Sequence, residues 1–148
     1  MQNQLLQIPI KLTSNESILP TYAHDTDIGL DLTAISIAYD EYGNVIYDTG
    51  LAIEIPIGYG GFIFPRSSIS KYNLLLSNCV GVIDPGYTGN IICKMKLLDL
   101  KNLGLPNYNI GDRVAQLIIL PTPKIQFYKV TELNTSVRGN GGFGSTGN

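Results

Sequence analysis

Apolar and polar residues alternate along this chain with a period of two, in short runs that turn residues interrupt. Leu6, Ile8 and Ile10 mark a first strand over 5–12, and Pro9 places it at a sheet edge. The polar stretch 13–27 reads as loop. Leu30 and Leu32 flank Asp31 in a second strand that starts at Gly29 and runs on through 35–38 to a Tyr42-Gly43-Asn44 turn. A short strand at 45–47 is expected to break at Asp48-Thr49-Gly50. Leu51, Ile53 and Ile55 then alternate with Ala52, Glu54 and Pro56 as a half-buried strand. Further strands are predicted at 61–64, 74–76, 79–83, 91–98, 114–120 and 125–130, with one helical turn at 68–72. The run 79–83 delivers Asp84 onto a Pro85-Gly86 turn, and a return strand makes 78–90 a predicted β-hairpin. Short strands at regular spacing, without repeat or second domain, indicate an all-β sandwich or barrel with at most one short helix.

Composition agrees with that pattern. The 148 residues suit one domain with a real core. The 16 glycines and 8 prolines supply turns, while charged residues make up only 15%, so part of the surface is expected to be buried in an oligomer. A net charge of -2 gives no footprint for nucleic-acid binding. Cys79 and Cys93 lie in apolar runs without Cys-x-x-Cys spacing, which predicts buried, reduced thiols. No signal-peptide pattern and no run of transmembrane length is present, so a soluble, intracellular protein without membrane contact is expected.

The polar chemistry gathers around few residues. The three arginines, Arg66, Arg113 and Arg138, each lie against glycine, serine, proline or an acid rather than in a charge-patterned surface. One of them alone reads as a solvated cation or, for Arg113 beside Asp112, a local ion pair. Together they suit a multiply charged anion, because the guanidinium fork matches phosphate. Arg66-Ser67-Ser68 offers a guanidinium and two hydroxyls at a helical turn, a reasonable phosphate cradle; an N-cap serine is the plainer explanation, and the two are compatible. The tail from Arg138 to Gly147 is glycine-rich around Phe143; it lacks the lysine of a phosphate-binding P-loop, and a disordered terminus is the usual explanation of such composition. Phe143 within it suits stacking on a base. His24, the lone histidine, has neither metal-ligand spacing nor a nucleophile partner and receives no function. Asp31 and Asp84 are the acids of interest. Two carboxylates near a polyphosphate suit a magnesium-dependent phosphoryl-group reaction, one touching the ion and the other activating water.

Five ordered stretches carry a resemblance to the homotrimeric dUTP pyrophosphatases, the dUTPases. They are Asp27-Ile28-Gly29-Leu30-Asp31-Leu32, then Pro65-Arg66-Ser67-Ser68, then 78–89, then Gly111-Asp112-Arg113-Val114-Ala115-Gln116, and finally Arg138-Gly139 with 142–147. The resemblance implies a jelly-roll-like β-barrel (1–136), a glycine-rich C-terminal arm (137–148), and a homotrimer whose active sites lie between subunits. It implies hydrolysis of dUTP to dUMP and pyrophosphate, with Asp84 activating the water that attacks the α-phosphorus. Tyr87 would pack under the deoxyribose and exclude a 2′-hydroxyl. Asn78 and the backbone of Val82, Ile83 and Ile92 would read uracil. Arg66, Ser67, Ser68 and Gln116 would hold phosphates, and Asp31 would touch Mg2+ through water. Arg138, Phe143, Gly144, Ser145 and Thr146 would close over base and γ-phosphate. A cytoplasmic location, the host's if the source is a virus, goes with that activity.

Two alternatives share the fold. Ile83-Asp84-Pro85-Gly86-Tyr87 also looks like the dCTP deaminases, but those place a catalytic glutamate ten positions after the aspartate, where this chain has Lys94. A regulatory β-barrel without turnover is the other, against which Asp84, Tyr87 and Phe143 speak. The first motif departs from the family at Asp27 or Ile28, where alanine is usual, a change expected to touch packing rather than chemistry.

Overall fold

Alternation does decide the strands. In Asn90–Leu97, Ile91, Cys93 and Met95 are buried while Ile92, Lys94 and Lys96 face outward, as a sheet with one wet face requires. The computed structural model describes residues 5–98 and 107–142. In chain order the strands are β1 Ile10–Leu12, β2 Leu30–Thr33, β3 Ser36–Tyr39, β4 Asn44–Ile53, β5 Tyr59–Pro65, β6 Leu74–Leu76, β7 Gly81–Ile83, β8 Asn90–Leu97 and β9 Arg113–Pro121. A 3₁₀ turn, Ser67–Lys71, is the one helical element among the described residues.

Two antiparallel sheets result. In the first, β1 and β3 lie end to end along one edge of β4, and β8 then β6 follow on its other edge. The second runs β2-β9-β5-β7. Val45, Tyr47, Leu51 and Met95 of the first and Leu32, Ile63, Ile83 and Leu117 of the second belong to one buried cluster, so the sheets pack face to face. The fold is all-β and jelly-roll-like, but no ladder closes the described sheets into a barrel.

Several expectations change. The first strand contracts to β1. The strand expected over 29–38 divides between the sheets, because neighbouring residues bond to different ones: the Ala34 N–H donates to the Asp112 carbonyl at 3.0 Å and the Ile35 N–H to that of Asp48 at 2.8 Å. Asp48-Thr49-Gly50 does not end a strand but forms a bulge in β4. The register against β8 shifts between Asp48 and Ala52, Gly50 takes φ +64°, and the buried Thr49 hydroxyl donates to the Ile91 carbonyl at 2.8 Å. Cys93 is buried as expected, and burial pushes its thiol up to about 12. Cys79 is exposed in a tight turn at φ +60°.

The largest correction concerns 78–90. β7 pairs with β5 and β8 with β4 and β6, so this stretch crosses from one sheet to the other and is no β-hairpin. The strand expected at 125–130 is also absent. β9 ends on Pro121, which like Pro123 offers no N–H to a ladder, and farther on Phe127 and Tyr128 are 90% and 85% exposed.

Candidate active site

β9 lies between β2 and β5, and that order assembles the first cluster. Gln116 is the register partner of Asp31 on one side and of Phe64 on the other, and Arg66 follows directly after β5. Asp31, Gln116, Arg66 and Ser67, with Asp27 and Gly29, line a cavity of about 490 Å³. The segments 27–31, 65–68 and 113–116 thus meet in one chain.

Inside this cavity the charges are cross-linked. One Asp31 oxygen accepts the Arg66 Nε–H at 2.7 Å, and the other accepts an Arg113 guanidinium N–H at 2.8 Å. The Asp31 carboxylate is 14% exposed, so its charge is met by two guanidinium groups rather than by bulk water. Of this trio Asp31 and Arg66 line the cavity, and Arg113 holds Asp31 from beside it. The Arg66 guanidinium also reaches the Ser68 hydroxyl at 3.5 Å. No side chain caps the 3₁₀ turn, so the N-cap serine explanation fails. Gln116 donates to the Pro65 carbonyl at 3.0 Å, and its Cδ lies 3.1 Å from where a Cβ at Gly29 would stand. A side chain at position 29 would push the Gln116 amide out of this place.

Arg113 is the site residue that sequence reasoning underrated. Its neighbour Asp112 accepts the Asn109 N–H at 2.7 Å, while Arg113 reaches across to Asp31. Only the β2–β9 register reveals this, since the two residues are far apart in sequence. Behind the 3₁₀ turn, Tyr72 stacks on the buried Tyr108 with centroids 3.9 Å apart, fixing the turn from below.

The second cluster surrounds β7. This strand is the edge of its sheet, so the backbone of Val82 and Ile83 turns one side away from any ladder. The Ile83 side chain is buried, leaving its backbone as the available group, whereas Val82 is exposed. Asp84-Pro85-Gly86-Tyr87 is a type II turn: the Tyr87 N–H donates to the Asp84 carbonyl at 3.1 Å, and Gly86 takes φ +91°. Asp84 and Tyr87 are exposed, as are Asn78 and Ile92 beside them in sequence.

The two clusters do not meet within one chain. Asp84 follows Ile83, which pairs with Gly61, whereas Arg66 lies beyond the far end of β5. At the rise of a β-strand that separates them by roughly 20 Å. Arg138 joins neither cluster: it is exposed, and its Nε–H donates to the Gly141 carbonyl at 3.0 Å within a local turn. Phe143, Gly144, Ser145 and Thr146 lie outside the described residues. Among the described residues no group of three or more His, Cys, Asp or Glu side chains is arranged to hold a metal ion, and no helix is long and apolar enough to cross a membrane.

Known proteins match this arrangement along nearly the whole chain. The dUTPase family profile covers residues 15–147. The deoxyuridine 5'-triphosphate nucleotidohydrolase of Thermobifida fusca is 39% identical over 144 residues, covering 96% of this chain and 79% of that protein. The enzyme of the same name from Desulfitobacterium hafniense is 44% identical over 137 residues, covering 87% of each. Among solved structures, a mutant dUTPase of Staphylococcus bacteriophage 80alpha with dUpNHpp superposes with a TM-score of 0.79 at 28% identity, over 95% of this chain and 98% of that one. A mutant dUTPase from phage phi11 of S. aureus, described with a structural Mg(II) ion, gives 0.72 at 26% identity over 86% and 98%. In profile, in sequence and in fold, this chain belongs to the dUTPase family.

Proposed function

We propose that this dUTPase hydrolyses dUTP to dUMP and pyrophosphate in sites built between subunits of a homotrimer. The observation that carries the reading is the separation of the two clusters: an Arg66-lined cavity and the exposed Asp84 carboxylate stand at opposite ends of one strand. Each is half a site, and a symmetric assembly can join the cavity of one copy to the turn of the next.

In that assembly Asp84 accepts a proton from the attacking water, which adds to the α-phosphorus as the bond to the bridging oxygen breaks. Pyrophosphate leaves with the electron pair. Pro85 and Gly86 set the direction of Asp84, and the edge backbone of β7, with Asn78 beside it and the backbone of Ile92, reads the uracil ring. Tyr87 forms the floor under the deoxyribose. Arg66, Ser67, Ser68 and Gln116 hold the phosphates. Arg138 with Phe143, Gly144, Ser145 and Thr146, on an arm of residues 137–148 after a barrel-like body, closes over the nucleotide.

Magnesium fits one role only. Both Asp31 oxygens already accept an arginine, yet a carboxylate has about four lone-pair sites, so each oxygen retains one for a water. Asp31 therefore suits an ion that arrives on the phosphates and is touched through water, not one held by a protein cage. Such an ion supplies neutralisation of phosphate charge. The dCTP deaminase alternative is disfavoured by Lys94, which stands at the glutamate position and whose ammonium is 3.3 Å from Asp40.

Pyrophosphate release from dUTP with magnesium tests the reading, with dCTP, dTTP and UTP in parallel. Turnover of dUTP should fall by at least about 10³-fold in Asp84→Asn. Equal rates in wild type and variant, or ammonia release from dCTP, would reject it.

A further inference from the structure

Tyr87 stands on an exposed turn, yet its ring is held. Its hydroxyl donates to the Asn90 carbonyl at 2.9 Å, and the ring crosses Gly89 so closely that a Cβ there would lie 2.8 Å from Cζ. Asn90 opens β8, in the sheet that does not contain β7. Its side-chain amide donates to both oxygens of Asp48, at 3.1 and 3.0 Å. Asp48 sits at the bulge of β4, where it also accepts the Gly50 N–H at 2.8 Å.

We propose that the Asp48–Asn90 pair is a positioning unit that sets the Tyr87 wall, and through it the discrimination between 2′-deoxyribo- and ribonucleoside triphosphates. The inference rests on Tyr87 lying under the sugar. The Asn90 carbonyl is the only hydrogen-bond acceptor of the Tyr87 hydroxyl among the described residues, and Asn90 is itself held twice, by its ladder partner Ala52 and by its side chain on Asp48. A 2′-hydroxyl adds one oxygen, so a wall displaced by a fraction of an ångström is enough to admit it. The bulge explains the anchor's rigidity: Gly50 at φ +64° presents its N–H to Asp48, which leaves the carboxylate little freedom to turn. The mid-strand Asp48-Thr49-Gly50 sequence, with no role in the phosphate cavity, thereby acquires one in selectivity.

The test compares dUTP and UTP by kcat/KM in three variants. Asn90→Asp sets a carboxylate against Asp48 and should reduce the dUTP preference about tenfold. Asp48→Asn retains one acceptor and should reduce it less. The double exchange, Asp48→Asn with Asn90→Asp, restores a donor–acceptor pair and should recover the preference. A purely structural role would lower thermal stability without moving the ratio.

Fluorine NMR of protein labelled with 3-fluorotyrosine gives a readout independent of turnover. The Tyr87 resonance, assigned by its loss in Tyr87→Phe, should shift toward the solvent-exposed position in Asn90→Asp and return in the double exchange. An unmoved ratio and resonance, or a double exchange that recovers neither, overturns the proposal. Wild-type protein without dUTP turnover would reject the functional reading instead, and the fluorine resonance would still decide whether the pair holds Tyr87.

Discussion

Asp31 has both carboxylate oxygens engaged by arginines from two other parts of its sheet, whereas Asp84 rides on a four-residue turn held by its own backbone. The first acid is a structural member of a finished cavity. The second is exposed, with its turn braced through Tyr87 to the opposite sheet. On the proposed function, the two clusters divide one reaction between them. Phosphate binding needs several charges in fixed relation, and a three-strand register supplies it within one chain. A single base needs only a direction, which a Pro-Gly turn supplies. On that reading, joining the two is left to assembly of the proposed trimer.

Mixing inactive variants is the sharpest way to break this comparison. Asp84→Asn and Arg66→Ala should each be nearly inactive alone. Refolded together, they should regain activity in about a quarter of the sites, because some sites draw an intact cavity from one copy and an intact turn from another. No recovery would reject a site shared between copies. Next in size is removal of residues 137–148, which should leave a folded trimer by light scattering while turnover drops on the order of a hundredfold. Full activity would dismiss the arm from both clusters.

Asp31→Ala should release Arg66 and Arg113 from each other's neighbourhood and lower kcat/KM for dUTP by up to about a hundredfold. The change should fall mainly on KM, and Asp31→Glu should recover part of it. An effect confined to the magnesium dependence would make Asp31 a metal contact rather than an arginine clamp.

The smallest effect concerns Asp40, an acid remote from either cluster. The Asn44 side chain, then its backbone N–H, hold the Asp40 carboxyl down from the ordinary 3.8 to about 2. Because the folded value lies below the unfolded one, this stabilisation is present above about pH 4 and is lost as pH falls toward 2. Thermal melts between those values should show a gentler acid slope in Asp40→Asn than in wild type. Equal slopes would remove this corner from the acid response.

Much of the fold was legible because burial has a period of two. Leu51, Ile53 and Ile55 are buried as their alternation requires, and β5, β6, β8 and β9 form within a residue or two of the predicted runs. The misreadings fall where alternation is silent about partners. Residues 78–90 have the strand-turn-strand composition of a hairpin, but the two strands pair with β5 and with β4 and β6. Residues 125–130 are apolar enough for a strand and have no described partner to pair with. Within the candidate site, Asp84 with its type II turn was visible locally, and so were Arg66 and the Ser67-Ser68 pair. Arg113 was visible only as one of three arginines suited to an anion; its partner Asp31 was not, since nothing adjacent to it in sequence points there.

The sequence by itself determined the all-β class, the turn that aims Asp84 and, through five ordered motifs, the family. These are local or cumulative properties: a side chain's face follows from its position in a run, and a turn from its own four residues. Only the tertiary structure decided that β2, β9 and β5 lie side by side, that Asp31 clamps Arg66 and Arg113, and that the cavity and Asp84 stand at opposite ends of one strand. Register and sheet order depend on which strands meet, and that choice is made by the whole core at once.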